Sequence, residues 1–259
     1  MEVIMKRLLP LAMLVGVVVL PSISFGYPNG TPMYVTDAAP FCAACHSAVK
    51  ATYMSEMPQE AAVKELPENK HYGMVMAPGQ TPYAELTEEQ KKKVLDDAKK
   101  IDSNSSVAIN APAKVKAGKE FKVIVKAKGG NGPVIGIMLL DKASRYQSRP
   151  IAASGFYITG EPEVKGQDNQ IQKTWLDRRQ AGMKRNLNYI VVEKQRFDID
   201  KGVWPTAEVT YALLAPIAPG AYTITAAFLY GTENVEKAGF MQRPSGRILF
   251  SDETAIMVE

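Results

Sequence analysis

The two cysteines of this 259-residue chain stand three positions apart and are followed at once by a histidine, in the run Cys42-Ala-Ala-Cys45-His46. Thiols separated by two residues on one helical turn reach the two vinyl groups of a single porphyrin, and the adjacent imidazole then meets the iron. The run therefore predicts one covalently held haem, with thioethers from Cys42 and Cys45 and iron ligation by His46. A redox dithiol shares the cysteine spacing, but it opens a helix after a strand in a βαβ unit and has no use for the histidine. Nothing around residue 42 reads as such a unit.

A second axial ligand must come from elsewhere. The chain has one other histidine, His71, in the segment ENKHYGMVMAPG, and 12 methionines, of which Met54, Met57, Met74 and Met76 lie in the same region. Imidazole favours ferric iron and thioether sulfur favours ferrous iron, so the choice sets the reduction potential. Scarcity and position make His71 the expected sixth ligand, from a loop folding over the ring, with Met76 as the alternative.

Other side chains carry weaker signals. Residues 107–259 contain no His and no Cys, which leaves no ligands for a cupredoxin copper site or a structural zinc site. The pairs Glu161 with Glu163 and Asp198 with Asp200 read as solvated loop residues, because calcium needs several converging oxygens. Arg178, Arg179, Lys184 and Arg185 form a basic cluster suited to an acidic partner, and Trp175 and Trp204 read as packing residues. No glycine-rich phosphate loop and no hydrolase triad is present, so no catalytic residue is assigned and nucleic acid is not an expected partner.

The elements that position these residues fall into two stretches. Residues 1–26 run from Lys6 and Arg7 through an apolar stretch to Ser24 and Gly26, the plan of a secretory signal peptide cleaved after Gly26 or retained as an N-terminal anchor. The expected location is periplasmic or otherwise extracytoplasmic, with membrane contact only if that segment stays. Residues 27–102 read as short helices: one after the cysteine run, one over QEAAVKEL up to Pro67, and one over LTEEQKKKVLDDAKKI. In the last, Thr87 and Gln90 form a capping box and Val94, Leu95, Ala98 and Ile101 share a face. A polar linker, 103–106, follows.

Beyond it the period changes to two. EFKVIVKAK alternates Phe121, Val123, Val125 and Ala127 with polar residues, and VIGIMLLD, GFYIT, LNYIVVEK, AEVTYALLAP, AYTITAAFLYG and RILFSDETAIMV follow as strand-like segments between Pro and Gly turns. Residues 107–259 thus read as an all-β, immunoglobulin-like sandwich, interrupted by a polar excursion over 161–186. Charge divides along the same line. Residues 27–104 carry 8 Lys against 11 Asp plus Glu, and residues 105–259 carry 21 Lys plus Arg against 15 Asp plus Glu. Opposite signs in the two stretches bear on association and steering.

The cysteine run near its start and the final LTEEQKKKVLDDAKKI helix give residues 30–101 a resemblance to the monohaem class I c-type cytochrome domain. Two features depart from that family: Ser47 stands where a glycine is usual, and no clear Met-Pro segment precedes the last helix. The whole chain is similar to bacterial exported proteins that fuse such a domain to a β-sandwich. The resemblance implies an α + β chain in two domains, a small all-α haem domain followed by the sandwich. It implies one-electron transfer, as a carrier or a subunit of a redox complex, with iron in haem c as the cofactor. Other redox proteins or a membrane redox complex are the implied partners, docked through the sandwich. A haem enzyme or gas sensor with an open or displaceable sixth position is the alternative.

Overall fold

The computed structural model describes residues 50–54, 57–79, 83–144, 148–173, 187–233 and 246–259. The leader, the cysteine run with Cys42, Cys45 and His46, the basic cluster at 178–185 and Trp175 lie outside the described residues.

Among the described residues three α-helices precede the strands: α1 (Gln59–Lys64), α2 (His71–Met76) and α3 (Glu88–Ser103). Helix α3 opens on the expected capping box, with the Gln90 amide donating to Thr87 Oγ1 at 3.2 Å and the Thr87 amide donating to Gln90 Oε1 at 2.8 Å. Helix α2 covers residues expected as a loop. Its buried face carries His71 and Val75, four positions apart, and Val75 packs with Tyr83, Leu86 and Val94.

The strands build two sheets. Among the described residues the first is β1 (Ser106–Asn110), β3 (Glu120–Lys128) and β8 (Thr206–Leu214) in that order, with β5 (Tyr157–Ile158) and β6 (Glu163–Lys165) both pairing with β8. In the second, β2 (Lys114–Val115), β11 (Thr254–Val258), β9 (Gly220–Gly231), β4 (Asn131–Leu140) and β7 (Tyr189–Val192) follow one another, and β10 (Gly246–Phe250) also lies on β9. The β8 row alternates half-buried and buried positions, so Ala207, Val209, Tyr211 and Leu213 face inward from it. Strand β4 is buried at every position from Val134 to Leu140, so both of its faces are covered. Side chains of both sheets, among them Val125, Tyr211, Ile137 and Phe228, meet in one core.

This arrangement overturns the expected division into a small all-α haem domain and a separate sandwich. The described residues are mainly β-sheet, two of the three helices have only six residues, and no self-contained helical domain is present. The physical reason is size: α2 and α3 share only the small cluster of Val75, Tyr83, Leu86 and Val94, too little for a domain core, and the end of α3 packs instead on the sandwich. Ile101 at the end of α3 is fully buried within the sandwich core, and Lys100 Nζ donates to the Ile199 carbonyl at 2.9 Å. The expected linker is short and structured, since α3 runs to Ser103 and β1 starts at Ser106. Of the expected description, only the immunoglobulin-like character of the β part remains, and in a loose sense.

Candidate functional site

Strand β10 decides what lies between the helices and the sandwich. Alternation along it puts Ile248 on one face and Arg247 and Leu249 on the other, the face shared by their cross-strand partners Tyr230 and Phe228; Leu249 packs against the sandwich core and also lines a cleft beside α3. Arg247 is registered opposite Tyr230 of β9, and both are buried.

Arg247 joins two groups of side chains. Its Nη2 donates to Asp102 Oδ2 at 2.6 Å and its Nε to Asp102 Oδ1 at 3.3 Å, a forked pairing to the last turn of α3. Asp102 also accepts from Tyr72 Oη at 2.6 Å and from Tyr230 Oη at 2.7 Å. On the other side Arg247 Nη2 lies 2.9 Å from His71 Nδ1. A guanidinium only donates, so Nδ1 accepts and the imidazole proton sits on Nε2. From there Nε2 is 2.8 Å from Glu233 Oε1 and 2.9 Å from Tyr83 Oη, while Tyr83 Oη donates to the same carboxylate oxygen at 2.8 Å. Thr232 Oγ1 donates to Glu233 Oε2 at 2.9 Å.

Burial governs the electrostatics. It pushes the Glu233 carboxyl up, but hydrogen bonds from His71, Tyr83 and Thr232 outweigh it and hold the carboxyl below its ordinary value. Burial also pushes Tyr83 and Tyr72 well up, reinforced by Glu233 and Asp102 respectively, so both phenols stay protonated donors. For Arg247 burial acts downward, and Asp102 more than reverses it. The set is a closed polar clasp between α2, α3 and the ends of β9 and β10.

Beside the clasp opens a cleft of ≈ 820 Å³. Asp102, Tyr230 and Arg247 form its floor, Ala51, Leu66, Pro67 and Leu249 its apolar walls, and Lys50, Glu68 and Lys99 stand at its edge, Lys50 being paired with Asp252 at 2.7 Å. Tyr72 presents its ring on one side, with Lys99 Nζ 5.8 Å from the ring centroid and the Arg247 guanidinium 5.9 Å from it.

No family model matches this sequence. No curated protein matches it either. Among solved structures, a protein described as AvmM, which catalyses macrocyclization in alchivemycin A biosynthesis, is 9 % identical with a TM-score of 0.30, covering 60 % of this chain and 88 % of that one. The C-terminal domain of the Streptococcus agalactiae AgI/II polypeptide BspA is 10 % identical with a TM-score of 0.33, over 59 % of this chain and 50 % of that one. The CARDB domain of PF1109 from Pyrococcus furiosus is 12 % identical with a TM-score of 0.24, over 60 % and 90 %. Likenesses this distant say nothing about activity.

The expected site residues distribute unevenly. His71 is buried in the clasp with both ring nitrogens engaged, so iron ligation there would require Nε2 to release Glu233 and Tyr83. Met76 is half-buried at the end of α2, Met74 is exposed, Met54 is fully buried with Ala62 and Phe250, and Met57 packs on that group. The expectation of a metal-binding group is corrected for this part of the chain: among the described residues no group of three or more His, Cys, Asp or Glu is placed to hold a metal ion. Calcium at the acidic pairs has no support, since Asp198 Oδ1 accepts from the Asp200 and Lys201 amides in a turn and Glu163 pairs with Lys165 at 2.8 Å. Trp204 packs against Phe197 in the core, as expected. No described helix is long and apolar enough to cross a membrane.

Sequence reasoning passed over Asp102, Glu233 and Arg247. One signal for the last was available: RILF places a cation two positions from Leu249 on the face opposite Ile248, in a strand otherwise apolar. Glu233 had none, because His71 and Tyr83, its partners in the clasp, lie 162 and 150 residues away in sequence.

Proposed function

We propose that this chain carries one covalent haem on Cys42 and Cys45, with His46 as an iron ligand, and passes single electrons between redox proteins outside the cytoplasm. The observation that carries the reading is the motif itself: the only cysteines of the chain sit in one Cys-x-x-Cys-His run behind a leader-like segment. The haem supplies the one-electron ferric–ferrous couple. Among the described residues the cleft beside the clasp has apolar walls but no purely cationic edge to match carboxylates, because Lys50 pairs with Asp252 at 2.7 Å and Glu68 joins the lining.

What the chain's own residues contribute is a scaffold. Cys42 and Cys45 would hold the group through thioethers and His46 would ligate its iron, while the β-sandwich buries the end of α3 and offers its lysine- and arginine-rich surface to an acidic partner. The test is expression of the full chain in a bacterial host with haem maturation, followed by intact mass and an alkaline pyridine spectrum. One added haem that resists acidified organic solvent, and that disappears in the Cys42→Ala, Cys45→Ala chain, is the expected result. A mature chain without added haem mass overturns the reading.

A further inference from the structure

We infer that one end of the second sheet, where Ile217, Pro219, Ala221 and Met257 lie exposed beside Lys116 and Lys119, docks on an anionic lipid surface. The inference is independent of the haem. The turn between β8 and β9 reads Ala215-Pro216-Ile217-Ala218-Pro219, and in it Ile217 is 85 % exposed. A lone exposed isoleucine is ordinary, but this one continues into a row. Ala218, Pro219 and Ala221 are exposed after it, and Ala221 stands opposite Met257 of β11, itself 42 % exposed. Directly paired residues share a face, so the apolar row runs from the turn onto the sheet. The turn is fixed in place: its prolines restrict the backbone, Tyr222 Oη donates to the Ala218 carbonyl at 2.8 Å, and the Gly118 amide donates to the Pro216 carbonyl at 3.1 Å.

Charge and shape select the partner. The turn between β2 and β3 packs on the same end, since the Ala215 amide donates to the Lys119 carbonyl at 3.0 Å, and it brings Lys116 and Lys119, both exposed. Lys114 stands opposite Met257 and pairs with Glu259, and Glu120 follows Lys119 at the start of β3. Among the described residues at this end, the lysines at 114, 116 and 119 thus outnumber the carboxylates at 120 and 259, and the rim is positive. A stable protein interface engages about 20–30 residues a side on a complementary surface. This projecting turn offers far fewer. A bilayer instead takes in a projecting aliphatic side chain without matching its shape, and its anionic headgroups attract the lysines beside it.

The experiment uses the full chain carrying Cys42→Ala and Cys45→Ala, so that Ile217→Cys supplies a single thiol for a polarity-sensitive fluorophore. Ala108→Cys, at an exposed position of β1 in the other sheet, supplies the control. Vesicles of phosphatidylglycerol and phosphatidylcholine in equal parts are the probe, and vesicles of phosphatidylcholine alone are the comparison. On the anionic vesicles the label at position 217 is expected to shift to the blue and to be quenched by brominated acyl chains, with neither change at position 108. The readout is local, so attachment of the chain through residues 1–26 does not imitate it. Lys116→Gln combined with Lys119→Gln, both exposed, is expected to raise the lipid concentration for half-maximal shift roughly tenfold or more. A label at position 217 that stays in water on the anionic vesicles, or is shielded equally by phosphatidylcholine alone, overturns the inference. Shielding that follows the protein's own concentration without lipid identifies a second copy as the occupant and overturns it too.

Discussion

At the scale of single residues, Arg247 is the pivot. It is buried, it forms a fork with Asp102, and it fixes the tautomer of His71. Removing one member of a buried ionic set leaves the others uncompensated, at a cost of about 3–5 kcal/mol. Arg247→Met is therefore expected to lower the unfolding free energy by roughly that amount, read by urea denaturation of the full chain. The exposed pair Lys114–Glu259 is the contrast, and Lys114→Ala should change stability little because solvent screens such pairs. Glu233 adds a pH dependence. Its native carboxyl lies below the unfolded value near 4.5, so it contributes stability that is fully in place above that value and is lost as pH falls through the lower native one. Glu233→Gln should flatten the fall in stability below about pH 4.5, measured as denaturation midpoints against pH. In the haem-loaded chain, His71→Gln is expected to lower stability and leave the low-spin spectrum unchanged. A shift to a carbon monoxide-binding, high-spin haem would instead make His71 the sixth ligand.

At the scale of elements, the turn between β3 and β4 holds the clasp in register. Gly130 has φ +75°, and a Cβ placed there would run into the Tyr230 side chain, whose hydroxyl donates to Asp102. The Gly130 amide also donates to Ser105 Oγ at 2.9 Å, linking this turn to the junction between α3 and β1. Gly130→Ala combines left-handed strain with a steric clash. It is expected to cost about 1–3 kcal/mol in stability, and to move the near-ultraviolet tyrosine signal as Tyr230 is displaced. The capping box on α3 is a milder case. Thr87→Ala removes the acceptor for the Gln90 amide and should cost about 0.5–2 kcal/mol, without altering the core of the two sheets.

At the scale of the whole molecule, the helices and the sandwich share one packing unit. A fragment of residues 107–259 would lose Ile101 from the core, the Asp102 partner of Arg247 and the His71 partner of Glu233. It is expected to melt well below residues 50–259, by circular dichroism in the strand region, and equal melting temperatures would refute the shared core. Two buried charges, Arg247 and Glu233, would then face water or each other without their helical partners, which is a destabilising outcome for either.

Local rules made part of this molecule legible. The capping box at Thr87 and Gln90 needs only residues three apart, and it starts α3 where the sequence places it. Period-two alternation located β3 and β8, because a half-buried strand writes its inward face into every second residue. The tertiary structure decided the rest. His71 reads as a loop ligand in sequence, but a helical turn and the approach of Glu233 and Arg247, 162 and 176 residues away, place it inside a clasp. The helices read as a domain because each has an apolar face, and a face alone does not say what will cover it. Here Val75 and Val94 cover one another with Tyr83 and Leu86, a cluster too small for a domain core, and Ile101 at the end of α3 finds its burial in the packed sheets.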